Sequence, residues 1–204
     1  MQQDILVKLQ PSDIQNVLDQ LNPLFEGSVF DPENTTILSQ NLSFYPGYQY
    51  LDIVSYKTTP PLRRLVLYSK QRSVILNFSN IPLYAFNKEL PIKLDKNNIE
   101  DYVRFFFKNV QGEHGSFLIV ENVDDIHWKE DPPPSARKAV GKMITPLTQD
   151  KIDDRGFYNL SACMIFKDSL FKVRIKIDIV GQVTISDEHL LIEDIPVFDD
   201  IFSQ

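Results

Sequence analysis

Residues Ser169–Ser186 read SLFKVRIKIDIVGQVTIS. Phe171, Val173, Ile175, Ile177 and Ile179 alternate with Lys172, Arg174, Lys176 and Asp178. A period of two places one set on a buried face and the other in water, which is the pattern of an antiparallel strand. Gly181 predicts a turn into VTIS, and SDEH (Ser186–His189) predicts another into LLIEDIPV.

Outward from that strand the same chemistry recurs. Tyr50–Tyr56, Arg63–Ser69 and Ser73–Ser79 are rich in β-branched, aromatic and leucine residues, the composition of strands. The last two are separated only by Lys70, Gln71 and Arg72, which predicts a hairpin. FLIVENV from Phe117 and FYNLSACMIF from Phe157 add further strands. IPLYAF (Ile81–Phe86) and LPIKL (Leu90–Leu94) are expected as short edge pieces, because each proline removes a ladder donor. Gly27–Pro46 reads as a loop with one short strand.

Helical spacing appears twice. In residues 12–25, Ser12 or Asp13 is placed to cap, and Ile14, Val17, Leu18 and Leu21 form one face, with Pro23 ending it. In residues 97–110, Ile99, Val103, Phe106 and Val110 form a stripe widened by Tyr102 and Phe105, a helix pressed across a sheet. The expected fold class is therefore α+β, largely antiparallel sheet with two principal helices at about 12–25 and 97–110. The expected organisation is a single compact domain over 1–204. A subdivision into 1–126 and 150–204 is open around the proline-rich connector 127–149, which contains Pro132–Pro134.

Composition narrows the function classes. The chain has 204 residues, 43% hydrophobic and 24% charged, enough for a sizeable core. Its net charge of −7 disfavours non-specific attraction to phosphate backbones or anionic lipid. Residues 61–110 depart from this balance with 9 basic and 4 acidic groups. One cysteine, Cys163, rules out an internal disulfide and fits a reducing compartment. Without a basic-then-apolar leader or an apolar run of membrane-spanning length, the expectation is a soluble, cytoplasmic protein with no membrane partner.

GEHGS (Gly112–Ser116) holds residue types suited to acid–base or nucleophilic work, so Glu113, His114 and Ser116 are the catalytic candidates. The order differs from a nucleophile elbow, whose serine lies between the glycines after a strand. A structural role is expected instead: Gly112 ends the helix in a left-handed conformation and Gly115 starts the strand. Asp124, Asp125 and His127 supply possible metal ligands, without H-x-H or H-E-x-x-H spacing, so a solvated turn is preferred. No glycine-rich phosphate loop is present, and no cofactor is expected. Arg63, Arg64, Lys70 and Arg72, beside Tyr56 and Tyr68, give the basic and aromatic mixture that single-stranded nucleic acid can use.

DYVRFFFKNVQGEHGSFLIVEN and VGQVTISDEHLLIEDIPV resemble two segments of a family of uncharacterised bacterial proteins. The first pairs an aromatic helix and a glycine-acidic-glycine turn with an apolar strand, and the second is a C-terminal hairpin. The resemblance covers about a fifth of the chain, implies no activity and brings no site residue with it. The resulting expectation is a non-enzymatic binding protein whose partner is another protein, with a homodimer through an exposed strand edge as one form of it. The first alternative is a hydrolase or transferase acting near His114 and His127. The second is a nucleic-acid module using the basic 63–72 hairpin.

Overall fold

The computed structural model describes residues 6–198. The chain divides into two compact units, one running to Asn77 and the other beginning at Phe78.

The first unit is a five-stranded sheet with one helix. Strands β1 (Val7–Lys8), β2 (Thr35–Asn41), β3 (Gln49–Ser55), β4 (Leu62–Tyr68) and β5 (Ser73–Leu76) pair in chain order, all antiparallel. Helix α1 (Pro11–Leu21) starts one residue before the expected caps, with Pro11 opening it after an extended Gln10. It ends at Leu21, and Pro23 lies in the 3-10 turn Asn22–Leu24 that follows. The Asn22 side chain latches this turn to Phe30 through two backbone bonds of 2.9 Å. Ile14, Val17, Leu18 and Leu21 pack with Ile37, Leu51, Ile53, Val66 and Tyr68 into one core. These sheet residues share a face because Ile37 lies opposite Ile53 and Leu51 opposite Val66, and residues two apart on a strand point the same way.

The second unit holds helices α2 (Ile81–Glu89), α3 (Ile99–Asn109) and α4 (Pro134–Gly141) with strands β6 (Gln111–Gly112), β7 (Gly115–Val120), β8 (Thr148–Ile152), β9 (Tyr158–Phe166), β10 (Ser169–Ile177) and β11 (Val183–Ile192). Its sheet runs β11-β10-β9-β7-β6, and β8 joins the Tyr158–Ser161 end of β9. Leu160, Ala162, Met164, Val173, Ile175 and Ile177 are buried on one face. The other face carries the core of Val120, Cys163, Ile165 and Leu170, joined by Ile126, Ile144, Ile195 and Val197 from loops.

The expected α+β class with two principal helices is corrected: the fold is mostly β, two antiparallel sheets with four short helices. The expected helices occur, at Pro11–Leu21 and Ile99–Asn109, but they are minor beside the eleven strands among the described residues and share their rank with α2 and α4. IPLYAF is not an edge strand. Pro82 stands in the first turn of α2, where its missing N–H costs no helical bond. Pro134 opens α4 in the same way, inside the segment read as a connector. That segment lies within the second unit, where Trp128 bridges Val197 and Lys129 donates to Pro196. SDEH does not end a strand either. β11 continues through it with a bulge against β10, and Asp187 takes a φ of 50°. A bulge flanked by Asp187 and Glu188 on this outer strand is the usual guard against edge-to-edge association.

The tip of the β10–β11 hairpin is held from the helices. Asp178 Oδ1 accepts from Val180 and Gln182, Tyr102 Oη donates to the Gly181 carbonyl at 2.5 Å, and Asn87 donates to Val180 O at 3.0 Å. Val183 N–H donates to Tyr84 Oη, whose phenol pKa is pushed up chiefly by burial. Ile179 is not the next core residue of the alternation: β10 ends at Ile177, and Ile179 is 71% exposed in the turn.

Candidate functional site

α3 ends without the expected glycine cap. Val110 is already extended, with φ −125° and ψ 129°, and its N–H closes on Phe106 O. Gly112 has no positive φ; it sits in β6, opposite Gly115, in a hairpin whose tip is Glu113 and His114. Its role is close approach, since a Cβ there would lie 2.8 Å from the Phe117 ring. Phe117 in turn stacks on Phe166 at 4.7 Å and meets Phe107 edge-on at 6.0 Å. Phe107 meets Phe106, and Phe106 stacks on Tyr84, so the FFF run of α3 is one link in a ladder of rings through the second unit.

Beyond β7 this ladder stops at a cleft of about 400 Å³. Arg104, Phe107 and Lys108 of α3 form one wall, Ser116–Ile119 of β7 form the floor, and Glu121, Asp125 and His127 form the other wall. A smaller recess adjoins it, shares Ser116, Leu118 and His127, and adds Lys167, Val197 and Phe198.

The floor is a strand edge. β6 pairs only with Gly115 and Ser116, leaving Phe117–Val120 bonded to β9 on one side. The two-residue turn at Lys167–Asp168 makes Phe166 and Ser169 the closing pair of the β9–β10 hairpin, so Phe166 turns its N–H and C=O to β10. Ile165 therefore bonds outward to Leu118. Alternation along β7 then turns the N–H and C=O of Phe117 and Ile119 away from β9; the Gly112–Gly115 and Gln111–Ser116 pairs aim Phe117 N–H at Val110 beside β6, so Ile119 presents both its groups on the open side.

The charged groups on the walls are ordered. Arg104 donates to both oxygens of Glu121, at 2.9 and 2.8 Å, and to Asp101 at 3.1 Å; the Glu121 bond dominates in holding its pKa above the usual value. Asp125 accepts from the backbone N–H of Glu121 and Asn122 and from the Asn122 amide, at 2.8–3.0 Å, closing a capping box over the 3-10 turn Val123–Asp125. Asp124 is paired with Arg137. Asp125→Ala is expected to destabilise this turn by about 1–2 kcal/mol, since backbone donors lose a charged acceptor. Faster amide exchange at Glu121 and Asn122, with the sheet unchanged, is the result to look for.

The structure separates the candidates read from the sequence. Ser116, Asp125 and His127 line the cleft, whereas Glu113 and His114 are exposed at the hairpin tip and do not line it. Among the described residues no three His, Cys, Asp or Glu side chains gather to hold a metal ion. Cys163 is buried, its sulfur 3.3 Å from Thr145 N. Arg63 and Arg64 are neighbours on β4 and so point to opposite faces of the first sheet. Arg63 is bonded to Asp52, Arg64 to the Arg63 carbonyl, and Lys70 and Arg72 are exposed at the β4–β5 turn. The sequence reading missed Arg104, Lys108, Gln111 and Glu121 as cleft residues. Their only signal was the polar flank of an amphipathic helix, which every surface helix carries.

Compared with protein-family models, with curated proteins and with solved structures, the chain matches none.

Proposed function

We propose that the protein is a binding module, and that the cleft over β7 receives a segment of another polypeptide. The observation that carries this reading is an open strand edge forming the floor of an apolar and aromatic cleft. Edges left uncovered are normally blunted by charge, proline or bulges. The outer strand of the same sheet, β11, has such a bulge, whereas β7 runs without a register shift against β9. Open edges with side-chain pockets beside them are a recurring way to hold peptides.

The hydrolase reading draws on Ser116 and His127 lining both recesses. Against it, the carboxylates on the same wall are engaged: Glu121 by Arg104, and Asp125 by the turn it caps. A triad needs an acid that orients the histidine.

Selection of a displayed random decapeptide library on the intact protein tests the proposal. Enriched peptides should protect the amide of Ile119, and Ser116→Tyr, which fills the cleft floor, should weaken them at least about tenfold, a loss near 1.4 kcal/mol. The peptides should be recovered intact by mass spectrometry. Absence of enrichment, or protection confined to other strands, would sink the binding reading, and cleaved peptide would move it to the hydrolase.

A further inference from the structure

We infer that helix α4 is a releasable brace behind the cleft wall, and that its docking on the Val123–Asp125 turn keeps Asp125 and His127 in place. This rests on the binding reading above for what the wall serves, and it adds the wall's regulation; the brace itself needs no ligand.

The turn divides its side chains between two neighbours. A 3-10 turn has three residues per turn, so consecutive side chains point about 120° apart. Asp125 lines the cleft and caps the turn by accepting from Glu121 N–H and Asn122 N–H. Val123 and Asp124 do not line it, and these two are the residues that α4 touches. Arg137 pairs with Asp124. Gly141 lies so close that a Cβ on it would stand 3.5 Å from Val123 Cβ. Val140 and Val123 pack against the same core.

The hold is light. Before the helix, Lys129 N–H is tied to Pro196 O, and after it Ile144 and Leu147 are buried and Thr145 N–H meets the Cys163 sulfur. Among the described residues, Arg137–Asp124 is the one hydrogen bond or ion pair that residues 130–142 make outside their own segment. α4 has eight residues, none of them buried, and no side chain caps its start. Helices this short do not stand alone in water, so α4 persists by docking. Its ion pair is exposed, with Asp124 at 76%, and such pairs are weak and easily screened. The screening length falls from about 10 Å at 0.1 M salt to about 3 Å at 1 M. The wall's ends are held otherwise, by Arg104 on Glu121 and by Phe198 N–H on His127 O. A wall fixed at both ends and lightly braced at its middle opens there first, and a ligand that binds the closed wall draws α4 down with it.

Amide exchange of the ligand-free protein tests the brace through two variants that act in opposite directions. Arg137→Met removes the ion pair and should speed exchange about two- to fivefold, both at Lys142, which bonds to Lys138 O, and at Glu121 and Asn122 on the wall. Gly141→Ala should slow the same amides about threefold or more, because alanine favours the helix and its Cβ meets Val123 at an ordinary contact distance. Salt at 1 M should act on the unaltered protein as Arg137→Met does, and should change little in that variant. Amides of β9 and β10 should stay unchanged throughout. A response at Lys142 without one at Glu121 and Asn122 would overturn the inference, leaving α4 an independent surface helix. A decapeptide from the selection above should also slow exchange at Lys142, a residue outside the cleft lining, because coupling between sites is reciprocal. Protection of Ile119 with Lys142 unmoved would overturn the coupling and leave the binding reading intact. Failure of any peptide to enrich would remove the binding reading, and the two variants would still decide the brace.

Discussion

Gly181→Ala is expected to destabilise the second unit by about 3 kcal/mol, well beyond the usual surface substitution. Gly181 has a φ of +78°, a conformation that costs an L side chain about 1 kcal/mol or more. Its site also leaves no space. A Cβ there would stand 2.7 Å from Asn87 Nδ2 and 2.9 Å from Tyr102 Oη. Both neighbours are buried, and both are donors to the hairpin tip, Asn87 to Val180 O and Tyr102 to Gly181 O. Neither can retreat without giving up its bond, and a buried group left unsatisfied costs about 1–3 kcal/mol. Tyr102→Phe separates the two effects. It removes the hydroxyl, one of the two clashing groups, and leaves Asn87 in place, so it should cost only about 1–2 kcal/mol, and Gly181→Ala in that background should cost somewhat less than alone. Trp128, the chain's one tryptophan, lies in the second unit and reports its urea transition by fluorescence. An unchanged midpoint for Gly181→Ala would contradict the clamp.

That hairpin also marks how far the sequence could be read. The alternation from Phe171 to Ile177 announces the strand because burial on one face of a sheet has period two. It overshoots at Ile179 because nothing in the alternation encodes the Asp178 side chain, which caps the turn and ends β10. The helices at Pro11–Leu21 and Ile99–Asn109 are visible in their apolar spacing, whereas α2 and α4 are hidden by prolines that read equally as strand breakers and as first-turn residues. Gly112 was assigned the wrong task for a similar reason. Its place just after a helix suggests a cap, and its true constraint, the Phe117 ring five residues on, is a tertiary contact.

The cleft was still less legible. Ser116, Asp125 and His127 drew attention by residue type, but the ordering of its walls depends on Arg104 reaching Glu121 across 17 positions and on Asp125 turning back to cap. The open edge of β7 is a property of sheet order, and local sequence does not specify which strand stands at the rim.

Arg63→Met should destabilise the first unit by about 2–3 kcal/mol, which would place Arg63 in the structure of the sheet and not on a ligand surface. Asp52 is 6% exposed on the face of β3 that also carries buried Tyr50, and Arg63 gives it bonds of 2.8 and 2.7 Å from the next strand. Leu65 and Leu67 are buried on the same face of β4. Removing the guanidinium leaves a carboxylate without its charged partner among these groups. Breaking a fully buried pair costs about 3–5 kcal/mol, and the Arg63 side chain, 36% exposed, lets in water that reduces the figure. The reverse change is milder. Asp52→Leu leaves an arginine whose long stem can carry its head to solvent, so a loss near 1 kcal/mol is expected. The double variant Asp52→Leu, Arg63→Met removes both charges and should recover much of the loss, with a coupling of about 1–2 kcal/mol. Amide exchange at Leu65 and Leu67 measures this locally in the first unit. A nucleic-acid role predicts the opposite pattern: unchanged exchange in Arg63→Met, with weaker salt-dependent retention on single-stranded DNA. Equal losses for the two single variants and no recovery in the double would remove the ion pair from the account, and Arg63 would again be available to a ligand.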